Sequence, residues 1–181
     1  MKNKVLKEVL ETSVYILIVL VVSLFVVYFV GQRTIVEGDS MNDTLIDGDN
    51  LIVDKITYRF SDPKRFDVVV FPFKGNPQKQ YIKRIIGLPG ETVKIDEKGT
   101  IYINGEVLEE DYGKETILNP GRAATEIVLG DEEYFVLGDN RNNSSDSRAI
   151  EVGNIKREEI TGRAWVRIFP FDSMGFVKNM H

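Results

Sequence analysis

Residues 92–103, TVKIDEKGTIYI, are the stretch that decides the fold class of this chain. Residues 92–95 and 100–103 are rich in β-branched and aromatic side chains, and a glycine-containing turn separates them. Strand-forming runs on either side of a turn predict a β-hairpin. Asn104-Gly105 follows at once and predicts a second tight turn, before residues 106–108. The stretch therefore indicates an antiparallel sheet.

Other short apolar runs, bounded by Gly, Pro, Asn and Asp, extend this pattern along most of the chain. They are residues 51–53, 67–71, 81–82, 85–86 and 134–137. Short strands at such spacing predict a mainly β, antiparallel-sheet or barrel-like domain. Residues 109–125 are polar and predict a long surface loop. We therefore expect one domain at 32–181, with a small β insertion at about 96–126.

The N-terminal region has a different character, because residues 14–30 form an uncharged apolar run of about 17 residues. That length meets the lower bound for a transmembrane helix. A cleaved leader would have a small-residue cleavage site, and a soluble core helix would have polar residues at helical spacing. Neither pattern is present. Because lysines precede the run, we expect a short cytoplasmic N-terminus at 1–12, a transmembrane anchor at 13–31, and export of the rest.

Composition excludes several classes of function. The net charge is −5 with no long basic run, so we expect no nucleic-acid partner. The chain has no cysteine, which excludes disulfides, thiolate zinc sites and cysteine nucleophiles. The single histidine is the last residue, His181, which cannot supply a buried catalytic imidazole or a set of zinc ligands. We expect no metal and no cofactor, so hydrolysis would have to use hydroxyls, carboxylates, lysines or backbone amides.

Two segments contain residues that could perform such chemistry. Ser40 lies in EGDSMNDTL, at 37–45, where a turn could expose its hydroxyl and offer its backbone N–H to an oxyanion. Taken alone, a capping serine in a turn is the better explanation. Lys83 lies in YIKRIIGLPG, at 81–90, and faces the same side as Tyr81 and Ile85 by strand alternation. Burial would lower its pKa from about 10.4 toward about 8, as a base for serine needs, although an exposed edge lysine is the simpler explanation.

A third segment, LGDNRNNSSDSR at 137–148, is dense in short polar side chains. Together the three segments, in this order behind an apolar run, resemble the type I signal peptidase family, the serine-lysine leader peptidases of bacterial membranes. The resemblance rests on GDSM…TL at 38–45, KRIIGLPG at 83–90 and GDNR…SxDSR at 138–148. It covers nearly the whole chain.

The resemblance implies a role for particular residues. Ser40 would be the nucleophile, Lys83 the general base, and Ser144 the residue that hydrogen-bonds and orients the lysine amine. The oxyanion site would use the Ser40 backbone N–H and the region of Gly38, which stands where some members have an assisting serine. Supporting ion pairs are implied between Asp139 and Arg84 and between Asp146 and Arg148.

The family's substrates are preproteins whose signal peptides end in Ala-x-Ala. The resemblance implies that they bind in an extended form beside residues 34–37 and 80–82, with Val36, Ile82 and Met41 at the substrate site. The implied partners are signal peptides, the lipid bilayer and the neighbouring translocation machinery. The implied location is the cell membrane, with a single span and the catalytic domain on the extracytoplasmic face.

Two departures from the family pattern are Asp43, where proline is usual, and Phe66, where glycine is common. They affect local geometry and rate rather than the reaction. A second hypothesis is a non-catalytic relative that serves as a chaperone or assembly factor for surface structures such as pili. Such a protein should have lost Ser40 or Lys83, and this chain keeps both. A self-cleaving repressor would need a DNA-binding domain in place of the apolar run.

Overall fold

The computed structural model describes residues 2–25 and 31–177. The first described element is helix α1 (Lys2–Phe25), which includes residues 2–12 of the expected cytoplasmic N-terminus. Among the described residues, no helix is long and apolar enough to cross a membrane. Residues 26–30 of the expected anchor, and His181, lie outside the described residues. The expectation of a transmembrane helix at 13–31 is therefore not confirmed.

The rest of the described chain is mainly β, as predicted. In chain order the strands are β1 (Gly31–Ile35), β2 (Asn50–Asp54), β3 (Val68–Phe73), β4 (Asn76–Gly87), β5 (Thr92–Ile95), β6 (Ile101–Ile103), β7 (Glu106–Val107), β8 (Ile127–Val128), β9 (Glu133–Leu137), β10 (Ile155–Lys156), β11 (Gly162–Phe169) and β12 (Gly175–Phe176). The helical turns are α2 (Thr57–Phe60) and short 3-10 turns at Gly121–Ala124, Arg157–Glu159 and Phe171–Ser173.

These strands form two antiparallel sheets. The larger has the order β1-β2-β11-β3-β4-β9-β10, with β12 paired to β11, and the smaller has the order β7-β6-β5-β8. The smaller sheet spans residues 92–128, in the region where a small β insertion was expected at about 96–126. Its first hairpin, formed by β5 and β6, was predicted from the sequence and pairs Val93 with Ile103 and Ile95 with Ile101.

A shared hydrophobic core joins the two sheets. The inward side chains of the hairpin are buried, and they pack against residues of the larger sheet in one cluster. The cluster members from the larger sheet are Ile86, Phe135 and Leu137. Asn104 and Gly105 both have positive φ, 52° and 82°, as a tight two-residue hairpin turn requires.

Strand β11 was not predicted, although it lies in the middle of the larger sheet between β2 and β3. Its sequence, GRAWVRIF, is not a simple apolar run, because it contains Arg163 and Arg167. These arginines pair with carboxylates on or near the neighbouring strand, Asp54 at 3.7 Å and Asp49 at 2.8 Å. The predicted runs at 81–82 and 85–86 are parts of one strand, the twelve-residue β4.

The fold brings the three polar segments together. The loop at 36–49, which contains Ser40, joins β1 to β2 and is closed at its base by hydrogen bonds from Val36 N to Asp49 O (2.8 Å) and from Gly48 N to Val36 O (2.9 Å). Lys83 lies on β4, and the segment at 137–148 follows β9, which pairs with β4.

Candidate active site

The side chains of Ser40 and Lys83 meet directly, with Nζ and Oγ 2.7 Å apart. The lysine amine also donates to the carbonyl oxygen of its neighbour Ile82 at 2.9 Å. Nζ lies 4.9 Å from the centre of the Tyr81 ring, so these two side chains share a face of β4, as strand alternation predicted. Lys83 is only 3% exposed, which means that its amine is held inside the protein at the serine.

Burial changes the acidity of this amine. Removal from water disfavours the charged form and lowers the pKa of Lys83 from its ordinary value of 10.5 to about 8. The carboxylates of Asp146 and Asp139 act in the opposite direction, and Lys79 adds a smaller lowering effect. A substantial fraction of Lys83 is therefore neutral slightly above neutral pH, where it can accept a proton from a hydroxyl.

The turn ahead of Ser40 decides which backbone groups face a reacting carbonyl. Gly38 has φ 87° and donates its N–H to the Asp47 carboxylate at 2.7 Å. The predicted contribution of Gly38 to an oxyanion site therefore cannot come from its N–H, because that group is already bonded. The Ser40 N–H donates to no acceptor within residues 2–25 and 31–177, and it remains available.

Ser144 differs from the role that the family resemblance implied. Its Oγ is buried and has no hydrogen-bond partner among the described residues, so the expected bond to the Lys83 amine is absent. The Ser144 side chain packs instead on the α-carbon of Gly138, where an added Cβ would lie 2.3 Å from Ser144 Oγ and 2.4 Å from the Ser40 carbonyl oxygen. The lysine amine takes the Ile82 carbonyl as its second partner.

Behind the serine and the lysine lies a fully buried ion pair between Arg84 and Asp139. The guanidinium donates through Nε at 2.8 Å and through Nη2 at 2.7 Å, one bond to each carboxylate oxygen. Thr44 donates its hydroxyl to the same carboxylate at 2.5 Å. Paired charges with further hydrogen bonds are the form in which buried ions are tolerated. This group of three ties the serine loop, β4 and the third segment together.

A second ion pair with two hydrogen bonds stabilises the conformation of the third segment, residues 137–148. Arg148 donates to Asp146 at 2.8 and 2.9 Å, and the Gly138 N–H donates to Asp146 at 3.1 Å. Arg148 also donates to the carbonyl oxygens of Asn119 and Arg141. Both ion pairs that the resemblance implied are therefore present.

An open cleft of about 190 Å³ runs past the serine and the lysine. Residues 35–41 form one wall and residues 79–83 the other, and Asn143 and Ser145 also line it. Val36, Met41 and Ile82, which were expected at the substrate site, all line this cleft and are nearly fully buried. Within residues 2–25 and 31–177, no group of three or more histidine or carboxylate side chains is placed to hold a metal ion.

Several contributors were missed from the sequence. They are Thr44 on Asp139, Asp47 on the Gly38 N–H, and Asn140, which contacts the backbone at 39–40. Thr44 and Asn140 lie within segments that had been singled out, but their partners are about 95 and 100 residues away. No local pattern specifies such partners.

The two departures from the family pattern have unusual backbone conformations. Phe66 has φ 70°, a conformation that favours glycine, and its ring packs on Tyr112 with the centroids 5.1 Å apart. Asp43 has φ 91°, which proline cannot adopt, so the turn after Ser40 differs from one that proline would impose. Lys114 lies 3.8 Å from the Asp43 carboxylate.

A serine hydroxyl against a buried amine, beside an open cleft, is the arrangement of a serine hydrolase site. The family model "Signal peptidase, peptidase S26" matches residues 9–169. The chain is 40% identical over 154 residues to a probable signal peptidase I-2 of Synechocystis sp., covering 82% of this chain and 68% of that protein. It is 34% identical over 183 residues to signal peptidase I P of Bacillus subtilis subsp. natto, covering 96% and 97%.

Among solved structures, a signal peptidase I from Enterococcus faecalis matches with a TM-score of 0.45 and 36% identity, over 57% of this chain and 97% of that chain. The sequence matches show that the chain belongs to the signal peptidase family, peptidase S26. It is a hydrolase, a protease of the signal peptidase I type, and its family supports the removal of signal peptides. The relatives give no support to the assembly-factor hypothesis.

Proposed function

We propose that this protein removes N-terminal signal peptides from exported preproteins with Ser40 as nucleophile and Lys83 as general base. One observation supports this assignment above all: the Lys83 amine lies 2.7 Å from the Ser40 hydroxyl and is buried, with its pKa lowered to about 8. A charged surface lysine could not accept the serine proton at such a pH, whereas a buried one can.

The reaction is an acyl transfer in two stages. Neutral Lys83 accepts the hydroxyl proton as Ser40 Oγ attacks the scissile carbonyl carbon, and the Ser40 N–H stabilises the oxyanion. Protonated Lys83 then gives its proton to the leaving amine, which releases the mature protein and leaves the signal peptide as an ester on Ser40. Lys83 next activates water, which attacks the ester carbonyl and frees the serine.

The surrounding residues take supporting roles in this proposal. Arg84 with Asp139, and Arg148 with Asp146, fix the strand and the loop behind the reacting groups through four short hydrogen bonds. Ser144 lies against the same glycine as the Ser40 carbonyl and contributes packing rather than a bond to the lysine.

We expect the substrate to bind as an extended segment in the cleft. β1 is at one edge of the larger sheet, and β4 pairs with β9 only from Arg84 onward, so both cleft walls offer backbone groups to a peptide. Val36, Met41 and Ile82 form a shallow apolar floor. The small volume of the cleft favours small side chains, which supports cleavage after Ala-x-Ala.

Membrane attachment is part of the proposal and is supported by the apolar run at 14–30. We expect the catalytic domain on the extracytoplasmic face, with the bilayer and the translocation machinery close by. Extraction of membranes with alkaline carbonate tests the anchor. Protease treatment of intact spheroplasts, in a separate experiment, tests the side on which the catalytic domain lies. Release of the full chain by carbonate would contradict an anchor at this run.

The test of the activity uses the full chain in detergent micelles and a preprotein with an Ala-x-Ala site. Mass spectrometry of the product identifies the cleaved bond. Ser40→Ala and Lys83→Ala should each abolish cleavage, whereas Ser61→Ala, which removes an exposed hydroxyl bonded to the Thr57 carbonyl outside the cleft, should retain it. Unchanged cleavage by Ser40→Ala or Lys83→Ala would refute the dyad, and an inactive wild type would refute the function itself.

A further inference from the structure

Asn140 makes two contacts with the backbone around the serine. Its N–H donates to the Ser40 carbonyl oxygen at 3.1 Å, and its side-chain Nδ2 donates to the Asp39 carbonyl oxygen, also at 3.1 Å. The Asn42 N–H donates to this same Asp39 oxygen at 3.0 Å. The two carbonyl groups on either side of the Ser40 α-carbon are thus both held, and Asn140 contacts each of them.

The geometry of the peptide bond gives these contacts a chemical consequence. The Asp39 carbonyl and the Ser40 N–H belong to one planar trans peptide, in which the C=O and the N–H point in opposite directions. Hydrogen bonds that fix the direction of the carbonyl therefore also fix the direction of the N–H. Bonds donated to the carbonyl polarise the peptide as well and strengthen its N–H as a donor.

The N–H of the glycine in this turn cannot replace the Ser40 N–H. Gly38, two residues earlier, donates its N–H to Asp47 at 2.7 Å and is already committed. The Ser40 N–H has no acceptor within the described part of the chain, and both Asp39 and Ser40 line the cleft. An oxyanion formed at Ser40 thus depends on the orientation of the peptide between residues 39 and 40.

From these contacts we infer that Asn140 is a positioning residue that directs and polarises the Ser40 N–H toward the oxyanion. The inference rests on the proposed function, because it assigns a task to the same nucleophile. Asn140 does not touch the reacting atoms. It acts through the Asp39 carbonyl, so its loss should weaken stabilisation of the transition state and leave substrate binding largely intact.

Two substitutions distinguish the loss of the side-chain donor from the effects of added charge and of changed shape. Asn140→Asp keeps the size of the side chain but replaces the donating NH2 with a carboxylate oxygen that faces the Asp39 carbonyl. Asn140→Leu removes the donor without adding charge. We expect kcat to fall about 10- to 100-fold in both variants, below or near the loss seen when an oxyanion donor is deleted, with KM within about twofold.

The matched control is Asn142→Asp in the same loop. The Asn142 side chain bonds to Glu115 and Thr116, away from the serine, so this variant has the same change of charge and a comparable loss of local bonds. It should retain kcat within about threefold. An equal loss of kcat in the Asn142 and Asn140 variants would show that only the stability of the loop matters, and would overturn the inference.

A peptide aldehyde provides a readout that a purely structural role would not change. Ser40 Oγ adds to the aldehyde carbonyl carbon, and its proton passes to Lys83, which leaves the adduct as a hemiacetal oxyanion beside a charged lysine. The affinity therefore reports on the oxyanion site. The inhibition constant should rise in the Asn140 variants in parallel with the fall in kcat, while the dissociation constant of the matching peptide alcohol stays unchanged. A parallel rise for the alcohol would overturn the inference, whereas a wild type without activity would refute the proposed function instead.

Discussion

Replacing Lys83 by Met should remove the activity and at the same time stabilise the fold near neutral pH. Methionine fills a similar space without a charge, and Lys83 is only 3% exposed. The charged amine is what the folded protein tolerates poorly, because burial lowers the pKa of Lys83 from 10.5 to about 8. The variant therefore separates the requirement for a base from the requirement for a stable core.

The size of the effect follows from the two pKa values. The interval between 10.5 and about 8 corresponds to about 3 kcal/mol of folding free energy, at about 1.4 kcal/mol for each pKa unit. Between these pH values the unfolded chain binds the proton and the folded protein does not, so the stability of the wild type rises with pH. Below pH 8 both states are protonated and the full penalty is present. Loss of the bonds to the Ile82 carbonyl and the Ser40 hydroxyl, at about 1 kcal/mol each, offsets about 2 kcal/mol in the variant.

The assay is urea unfolding of the full chain in detergent micelles, at pH 7 and at pH 10.5. Trp165 is the single tryptophan, and it packs near Phe176 with the ring centroids 5.9 Å apart, so its fluorescence reports on the sheet. The free energy of unfolding of Lys83→Met should exceed that of the wild type by about 1 kcal/mol at pH 7. This difference should change by about 3 kcal/mol when the pH is raised to 10.5, so that the wild type becomes more stable by about 2 kcal/mol.

The matched control is Lys94→Met on β5, whose side chain is exposed. The difference in stability between this variant and the wild type should not depend on pH in the same range. If the difference for Lys83→Met is likewise independent of pH, the lysine is not kept neutral by burial, and the account of the base given above is wrong.

Three further predictions concern the same site. The rate of cleavage at limiting substrate should rise with pH through an apparent pKa near 8, since the neutral form of Lys83 is the active one. A maximum of the cleavage rate below about pH 6 in fixed-time assays would contradict this. Gly138→Ala should lower kcat more than 10-fold in initial-rate measurements, because the new Cβ would lie 2.4 Å from the Ser40 carbonyl oxygen and shift the nucleophile; wild-type activity would show that the turn adapts. Asp47→Ala should reduce the free energy of unfolding by about 1 kcal/mol and lower kcat several-fold, since it releases the Gly38 N–H; an increase in kcat would mean that the freed N–H serves the oxyanion better than the bound one.

The part of the fold that sequence predicted well is the part whose partners are close in the chain. The hairpin of β5 and β6 is an example, because two strand-forming runs on either side of the glycine-containing turn at 96–99 specify both strands. Strand β11 was missed, because its arginines only become compatible with a central strand once Asp54 and Asp49 are beside them.

For the candidate site, the sequence indicated which residues take part but not how they are arranged. The resemblance of the three segments to the signal peptidase family was what gave Ser40, Lys83 and both ion pairs as candidates. The orientation of the Ser144 hydroxyl and the commitment of the Gly38 N–H to Asp47 depend on how loops pack, and neither is encoded in a short pattern. The positive φ of Asp43 is likewise visible only in the folded turn.

Lys83 and Arg84 are adjacent on β4, and consecutive strand residues face opposite sides of a sheet. A shift of β4 by one residue in one direction would bring Arg84 to Ser40 and Ile85 to Asp139, and a shift in the other direction would bring Ile82 to Ser40 and Lys83 to Asp139. Neither register leaves a base at the serine, because arginine does not give up its proton in proteins and isoleucine has no group that accepts one. The two-pronged fit of Arg84 on Asp139, which lysine cannot reproduce, therefore favours the one register that places Lys83 at Ser40.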